Sequence, residues 1–220
     1  MKLSKETINL FKNFSSINSN LLIKKGSELS TVSTQKNVVA DVTVTEDFPI
    51  DFGIYDLNEF LGAMSLFEDP DLTFTDKFVS IKQGGSSIKY FAADPSVLVA
   101  PSKKINFPAE DIKLNVTAGM LSMIHKTASV LRASDLQITG DGEKISITVG
   151  DKKNVTGNSY SAEAGSTDKN FTVFLKVDNL KMLPGDYEVS ISSKKISRFK
   201  STTTDLVYYV AVELDSTFDF

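Results

Sequence analysis

A strand that runs into an aspartate and then into a short apolar helix is expected twice in this chain, at Ile50–Phe67 and at Phe171–Leu183. The two capping aspartates, Asp56 and Asp178, stand 122 positions apart. Two further helices, expected to start near Ser4 and Thr117, stand 113 apart in a sequence of 220 residues. A recurrence at about half the chain length points to an internal duplication, and so to two tandem domains of like build.

The local patterns fill in each half. Ser4 is a candidate N-cap, and Ile8, Phe11 and Phe14 recur at helical spacing behind it, with an end expected near Phe14 before Ser15-Ser16. Alternating or β-branched runs at Leu21–Ile23, Glu28–Ser33, Val38–Val44 and Ile50–Tyr55 read as strands. Asp56 then caps a helix at Leu57–Phe67, with Glu59 at the capping-box position. Strands follow at Leu72–Thr75, Phe78–Lys82 and Ser87–Phe91, the last two joined at Gly84-Gly85. Ala92–Pro108 holds Pro95, Pro101 and Pro108 and reads as an extended link, giving domains of 1–108 and 109–220. The second half is expected to hold strands at Asp111–Val116, Asp135–Thr139, Lys144–Val149, near Tyr160, Phe171–Val177, Tyr187–Ser192, Ile196–Lys200 and Leu206–Val212. Its helices are expected at Ala118–Leu131 and from Asp178 to Pro184-Gly185. The fold class is α+β.

Nothing in the composition asks for catalysis. Cysteine is absent, which removes disulfides, thiolate metal sites and cysteine nucleophiles together and fits a reducing compartment. The sequons Asn115-Val-Thr117, Asn154-Val-Thr156 and Asn170-Phe-Thr172 then read as chance matches. His125 is the single histidine; with no acidic cluster at ligand spacing and no nucleophile or orienting partner indicated, it reads as a spectator. Gly140-Asp-Gly142 is a hairpin turn and not a phosphate-cradling loop. No enzyme activity, metal or cofactor is expected. No apolar run is long enough to span a bilayer, and the lysines near Met1 are not followed by an apolar segment, so no membrane or secretory role is expected.

The net charge is −4, whereas a protein that grips DNA through open-face phosphate contacts should be basic. Either the chain avoids nucleic acid or it holds it by something other than net attraction. A closed ring with a locally basic lining would do the latter.

Five blocks in order decide between these. Met1–Asn20, Ile54–Leu66 (Ile-Tyr-Asp-Leu-Asn-Glu-Phe-Leu-Gly-Ala-Met-Ser-Leu), Ala92–Pro108, Met182–Tyr187 and Tyr209–Phe220 resemble the sliding clamps of T-even-type bacteriophages. The resemblance covers most of the chain. It departs in being shorter around Asn154–Lys169 and Lys194–Ser201, in lacking tryptophan (Phe91 stands where one is expected), and in carrying Phe218 where the T-even type has histidine. It implies a homotrimeric ring of tandem clamp domains, antiparallel sheets outside and helices lining the hole. It further implies topological, sequence-independent binding of double-stranded DNA in the host cytoplasm. The partners it implies are the C-terminal tail of a DNA polymerase, an ATP-dependent clamp loader and, as a further candidate, phage late-transcription proteins.

On that resemblance the DNA-facing residues are Lys2, Lys5, Asn9 and Lys12 on the first helix, Lys126 and Arg132 on the third, and Lys181 on the fourth. The plainer reading is a solvated helix face. Helix Leu57–Phe67 carries Glu59 and no base and is poorly suited to DNA. A partner-peptide groove is implied beside the connector, from Val97, Leu98, Val99, Pro101 and Ile105, with Leu183, Pro184, Tyr208, Val210 and Leu214 as its other wall; alternatively these residues cover their own domain's core. Phe218 and Phe220 are tail-docking candidates, or a frayed end. The competing assignment is a β-rich structural phage protein such as a tube or baseplate component, which needs no lysine-faced helices.

Overall fold

The computed structural model describes residues 1–154 and 156–220; Val155, inside the sequon at Asn154–Thr156, lies outside the described residues. Contacts divide the chain into two compact units, Met1–Lys104 and Ile105–Phe220.

In the first unit α1 (Lys5–Ile17) precedes β1 (Leu21–Ile23), β2 (Gly26–Val32), β3 (Val38–Phe48) and β4 (Phe52–Ile54). These are followed by α2 (Leu57–Ser65), β5 (Asp71–Phe74), β6 (Phe78–Gln83) and β7 (Ser86–Phe91). Strand β1 pairs antiparallel with β4, β2 with β3, and β5, β6 and β7 form a three-stranded antiparallel sheet. Ser4 caps α1 by accepting the Thr7 amide proton at 3.1 Å. The helix continues one turn past Phe14, because the Ser15 and Ser16 hydroxyls fold back onto the carbonyls of Lys12 and Asn13 and because Ile17 gains burial. Phe11 and Phe14 are wholly buried, and Phe11 meets Phe60 of α2 at 6.3 Å. Asp56 caps α2 through the amides of Asn58 and Glu59.

The second unit contains β8 (Ile112–Val116), α3 (Ala118–Leu131), β9 (Asp135–Asp141), β10 (Lys144–Gly150), β11 (Tyr160–Ser166), β12 (Asn170–Lys176), β13 (Tyr187–Ser192), β14 (Ile196–Ser201), β15 (Val207–Ala211) and β16 (Thr217–Phe218). One antiparallel sheet has the order β11-β10-β9-β12-β16, and strands β15-β14-β13-β8 are neighbours in another. Gly140, on β9 opposite Phe171 of β12, has no room for a side chain: an added Cβ would lie 2.4 Å from the Phe171 ring.

The expected fourth helix is a correction. Val177–Asn179 makes a single 3-10 turn, started by Lys176 without a side-chain cap, and Asp178 lies inside it. Between Asp178 and Pro184 there are too few residues to offset helix nucleation, and proline supplies no donor. The segment is tied down from the sheet instead: the Leu183 amide donates to Tyr208 Oη at 3.1 Å, and Tyr187 Oη donates to the Leu183 carbonyl at 2.6 Å. Burial pushes the Tyr187 phenol up to about 12 and raises that of Tyr208 as well. The strand–aspartate–helix pattern therefore recurs in sequence but not in structure, whereas α1 and α3 do correspond, with Ser4 and Thr117 each capping a helix.

One carboxylate from a distant strand completes the start of α1. Glu46 of β3 is buried and accepts from the Ser4 amide at 2.5 Å and from the Thr7 hydroxyl at 2.6 Å. Burial alone would raise its pKa, but the Ser4 and Thr7 hydrogen bonds outweigh it and the carboxyl titrates below its ordinary value. Hydrogen bonds to a charged acceptor contribute about 1.5–3 kcal/mol, so Glu46→Gln should destabilise the first unit by about that much at pH 7. Because the folded-state pKa is depressed, this stabilisation is complete above the unfolded-state pKa and is lost as pH falls through the folded one. Urea unfolding of both proteins at pH 7 and below pH ~4 should show the difference shrinking in acid.

Candidate nucleic-acid interface

Packing decides which side of each helix faces outward. On α1 the buried residues are Thr7, Leu10, Phe11, Phe14 and Ile17, which leaves Lys5, Asn9, Lys12 and Ser16 exposed in a line. Glu6 is the only acid on this helix. Lys5 and Lys12 form no ion pair among the described residues, whereas Lys2 is paired with Asp69. Leu121, Ile124 and Ala128 bury one side of α3, and Ser122, Met123, Lys126, Ser129 and Val130 are exposed on the other. This helix has no acid, and Lys126 and Arg132 have no ion-pair partner among the described residues. Helix α2 exposes Asn58 and Glu59 and no base.

Arg132 ends α3 in the left-handed region, with φ 54° and ψ 38°. Glycine adopts this conformation without cost, while other residues lose about 1 kcal/mol there. A large cation kept at a glycine-type position is a place where stability has been given up. Lys181 is exposed but lies beyond the short 3-10 turn at Val177–Asn179, in irregular chain and not on a helix.

The connector residues have different fates. Leu98 and Val99 are half-buried and fastened to the first unit. The Val99 amide donates to Asn20 Oδ1 at 3.0 Å and its carbonyl accepts from Asn18 Nδ2 at 2.7 Å. Gly53 accepts the Ala93 amide proton at 2.9 Å, and an added Cβ there would lie 2.4 Å from the Ala93 carbonyl oxygen and 2.9 Å from Leu98. Val97 is 58 % exposed, and Pro101 and Ile105 are half-buried. In the second unit Leu214 is 88 % exposed, Pro184 is exposed and Leu183 half-buried. Tyr208 and Val210 are corrections: both side chains are fully buried, so they belong to the core and cannot line a groove. Alternation along β15 turns Val207, Tyr209 and Ala211 the other way. Tyr209 already has a partner in Phe107, at 6.4 Å between ring centroids.

The tail is held by the second unit. Phe218 lies opposite Phe171 in the β12–β16 pair, and the Asp219 amide donates to the Asn170 carbonyl at 3.1 Å. The rings of Phe218 and Phe220 meet edge to face at 5.9 Å. Lys195 Nζ sits 4.8 Å from the first ring and Lys169 Nζ 4.4 Å from the second. Sequence reading missed both lysines, since nothing local marks them as partners of residues 23 to 51 positions away.

The buried carboxylate of Asp135 is matched by Lys176 Nζ at 2.6 Å and Ser134 Oγ at 2.7 Å. Among the described residues no group of three or more His, Cys, Asp or Glu could hold a metal ion, and no helix is long and apolar enough to cross a membrane.

Comparison with known proteins then settles the family. Residues 4–100 match the family described as DNA polymerase processivity factor, and residues 111–214 match the gp45 sliding clamp, C terminal. The chain is 34% identical to the sliding clamp of Enterobacteria phage T4 over 228 residues, with 100% of both chains covered. It is 32% identical to that of Escherichia phage RB69, again covering 100% of both. The chain belongs to the sliding-clamp family. It is a phage-type clamp that serves DNA polymerase processivity. The sliding clamp of Vibrio phage KVP40 is 30% identical over 97% of this chain and 99% of its own length. Its fold is that of the two-domain clamps: the proliferating cellular nuclear antigen of Entamoeba histolytica superposes with a TM-score of 0.69 at 15% identity, covering 94% of this chain and 95% of its own. The A. fulgidus PCNA, solved with the C-terminal region of FEN-1 bound, gives 0.70 at 14% identity over 96% of both chains.

Two substitutions test this geometry. Phe218→Ala removes an aromatic pair and a cation–π contact and should cost about 1–2 kcal/mol, read as faster exchange of the Asp219 amide, which donates to the Asn170 carbonyl. Arg132→Gly should leave stability unchanged or raise it by up to about 1 kcal/mol, read by thermal unfolding, because the backbone conformation suits glycine better.

Proposed function

We propose that three copies of this chain close head to tail into a ring around duplex DNA, with the outward faces of α1 and α3 turned toward the phosphates. One observation carries the reading. In a chain of net charge −4, one helix in each unit presents cations without ion-pair partners among the described residues: Lys5 and Lys12 on α1, Lys126 and Arg132 on α3. Asn9, between the two lysines, adds a neutral hydrogen-bonding group. Lys2, satisfied by Asp69, and Lys181, in irregular chain past the 3-10 turn, are weaker members of this set.

A few exposed lysines bind phosphates loosely and in a salt-dependent way. Loose contacts suit a ring that slides, because retention comes from closure and not from grip. The clamp then raises the effective concentration of a tethered polymerase at the primer end. Of the two clamp domains, we place the division within the connector 92–108.

Ring closure fits two free strand edges. Among the described residues strand β7 pairs only with β6, and β11 only with β10, so each leaves one row of backbone donors and acceptors open. One edge lies in each unit, six and seven residues long. Pairing β7 of one copy with β11 of the next would satisfy both rows and is the head-to-tail contact that generates rings.

The polymerase's C-terminal tail is assigned to connector residues of the first unit, exposed Val97 and half-buried Pro101; in the second unit, exposed Pro184 and Leu214 and half-buried Ile105 and Leu183 are separate candidates. The FEN-1 region bound by the A. fulgidus PCNA is a C-terminal one, which supports this mode. An ATP-dependent loader would open the ring, and late-transcription proteins would use the same surface. No catalytic role is assigned to any residue.

The test is primer extension by the cognate polymerase. The clamp should lengthen the product made per binding event and should run in solution at about 72 kDa, three times the 24.1 kDa chain. Changing Lys5, Lys12, Lys126 and Arg132 together to Glu should keep that mass and lower the stimulation at least about tenfold. Full stimulation by this variant would refute the assignment of the two helix faces.

A further inference from the structure

We propose that the outward face of β13, β14 and β15 is a recognition site for a peptide carrying an aromatic residue and, three positions later, a carboxylate, and that Phe107 and Glu110 occupy this site in cis. The proposal rests on the reading that partner tails dock beside the connector, and it names the chemistry and the regulation of that docking. All the groups involved lie in the second unit.

Register brings Lys113, Ser190, Arg198 and Tyr209 into one row across four neighbouring strands. The strap formed by residues 105–110 lies on this row. The Phe107 ring lies 4.8 Å from the Arg198 guanidinium carbon and 6.4 Å from the Tyr209 ring, at an interplanar angle of 35°. Glu110 follows three residues later. One of its oxygens accepts from Arg198 Nη2, and the other meets Lys113 Nζ at 2.5 Å. Hydrogen bonds from Lys113 and then Arg198 hold its carboxyl below the usual range.

Two features make this occupant replaceable. Among the described residues, Ile105–Glu110 makes no backbone–backbone hydrogen bond; the first such tie is at Asp111, whose amide donates to the Ile191 carbonyl at 3.1 Å. Lifting the strap therefore breaks side-chain contacts only. The occupant is also an imperfect one. Glu110 engages a single nitrogen of the guanidinium fork, and Arg198 Nε is buried without a hydrogen-bond partner. A carboxylate arriving edge-on would take both Nε and Nη2, the stronger bidentate arrangement. Such an orphaned buried donor asks for an explanation of this kind. The entry is present: an open depression of about 370 Å³, bounded by Glu110, Lys113, Asn115, Glu188, Ser190 and Arg198, leads to the guanidinium. Glu188 and Glu110 on its rim disfavour a phosphate backbone and leave a peptide carboxylate as the ligand that fits.

An aromatic–carboxylate segment held in cis lowers the apparent affinity of one arriving in trans by the fraction of time the face is open. The strap thus sets a threshold: a partner tail must out-compete Phe107 and Glu110 to stay.

A fluorescein-labelled synthetic peptide copying Ile105–Asp111 is the probe, with full-length protein and anisotropy as the readout. Phe107→Ala/Glu110→Ala should bind it about tenfold more tightly than the unmodified chain, if the strap is closed about nine-tenths of the time. Adding Arg198→Lys, which keeps the charge and loses the planar fork, should abolish that gain. Glu110→Gln alone, which leaves Phe107 seated, should give a smaller gain in the same direction and guards against misfolding of the double variant. Equal binding by the unmodified and strap-vacated chains, or binding indifferent to Arg198→Lys, would overturn the proposal. A clamp that stimulates polymerase but shows either result removes the strap alone; a chain that fails to stimulate polymerase removes the docking reading beneath it.

Discussion

The burial of one face of α1 and one face of α3 decides everything that this chain can offer a polyanion. Phe11 and Phe14 are sealed under α1, and Ile124 and Leu121 under α3. Rotating either helix by a single position would take those apolar side chains partly into water, at a cost of about 1.5–3 kcal/mol for each large one. That cost fixes Lys5, Lys12 and Lys126 on the outside. The Ser4–Glu46–Thr7 cluster adds a polar lock at the start of α1, tying the helix to β3. The positions of a few cations are thus consequences of the apolar core.

The same economy appears at the edges. Among the described residues, strands β7 and β11 each end a sheet with an unpaired edge, and Phe91 at the end of β7 is 68 % exposed. In a monomer this is an aggregation hazard. In the proposed ring of identical copies it would be a joint. The polar clusters of this chain tie its elements together: Asp135 is matched by Lys176 and Ser134, and the tail is pinned by Lys169 and Lys195.

Much of the fold was legible because local chemistry announces it. Ser4 and Asp56 are caps in sequence and in structure, a helix starts at Thr117 as expected, and α3 has the expected bounds. The reading failed where distant contacts overrode a local signal. Asp178 looks like a cap, but Pro184 and the hydroxyls of Tyr187 and Tyr208 hold the segment after it in a turn. The candidate site was partly legible for the same reason. Helical periodicity gave the face of Lys5, Asn9 and Lys12, but Tyr208 and Val210 were assigned to a groove because an apolar strand does not disclose which of its alternate residues face inward. The Phe107–Arg198–Tyr209 stack joins residues about 90 and more positions apart and leaves no periodic trace.

We propose that the protein stays on DNA by enclosure, and its retention on closed and cut circles reads this out. After ATP-dependent loading onto a nicked circle, the clamp should remain bound through washes in about 1 M salt, where phosphate contacts are screened, and should leave when the circle is linearised. Dissociation in salt at the same rate from circle and linear DNA would show that the chain binds by charge alone, and would contradict the account.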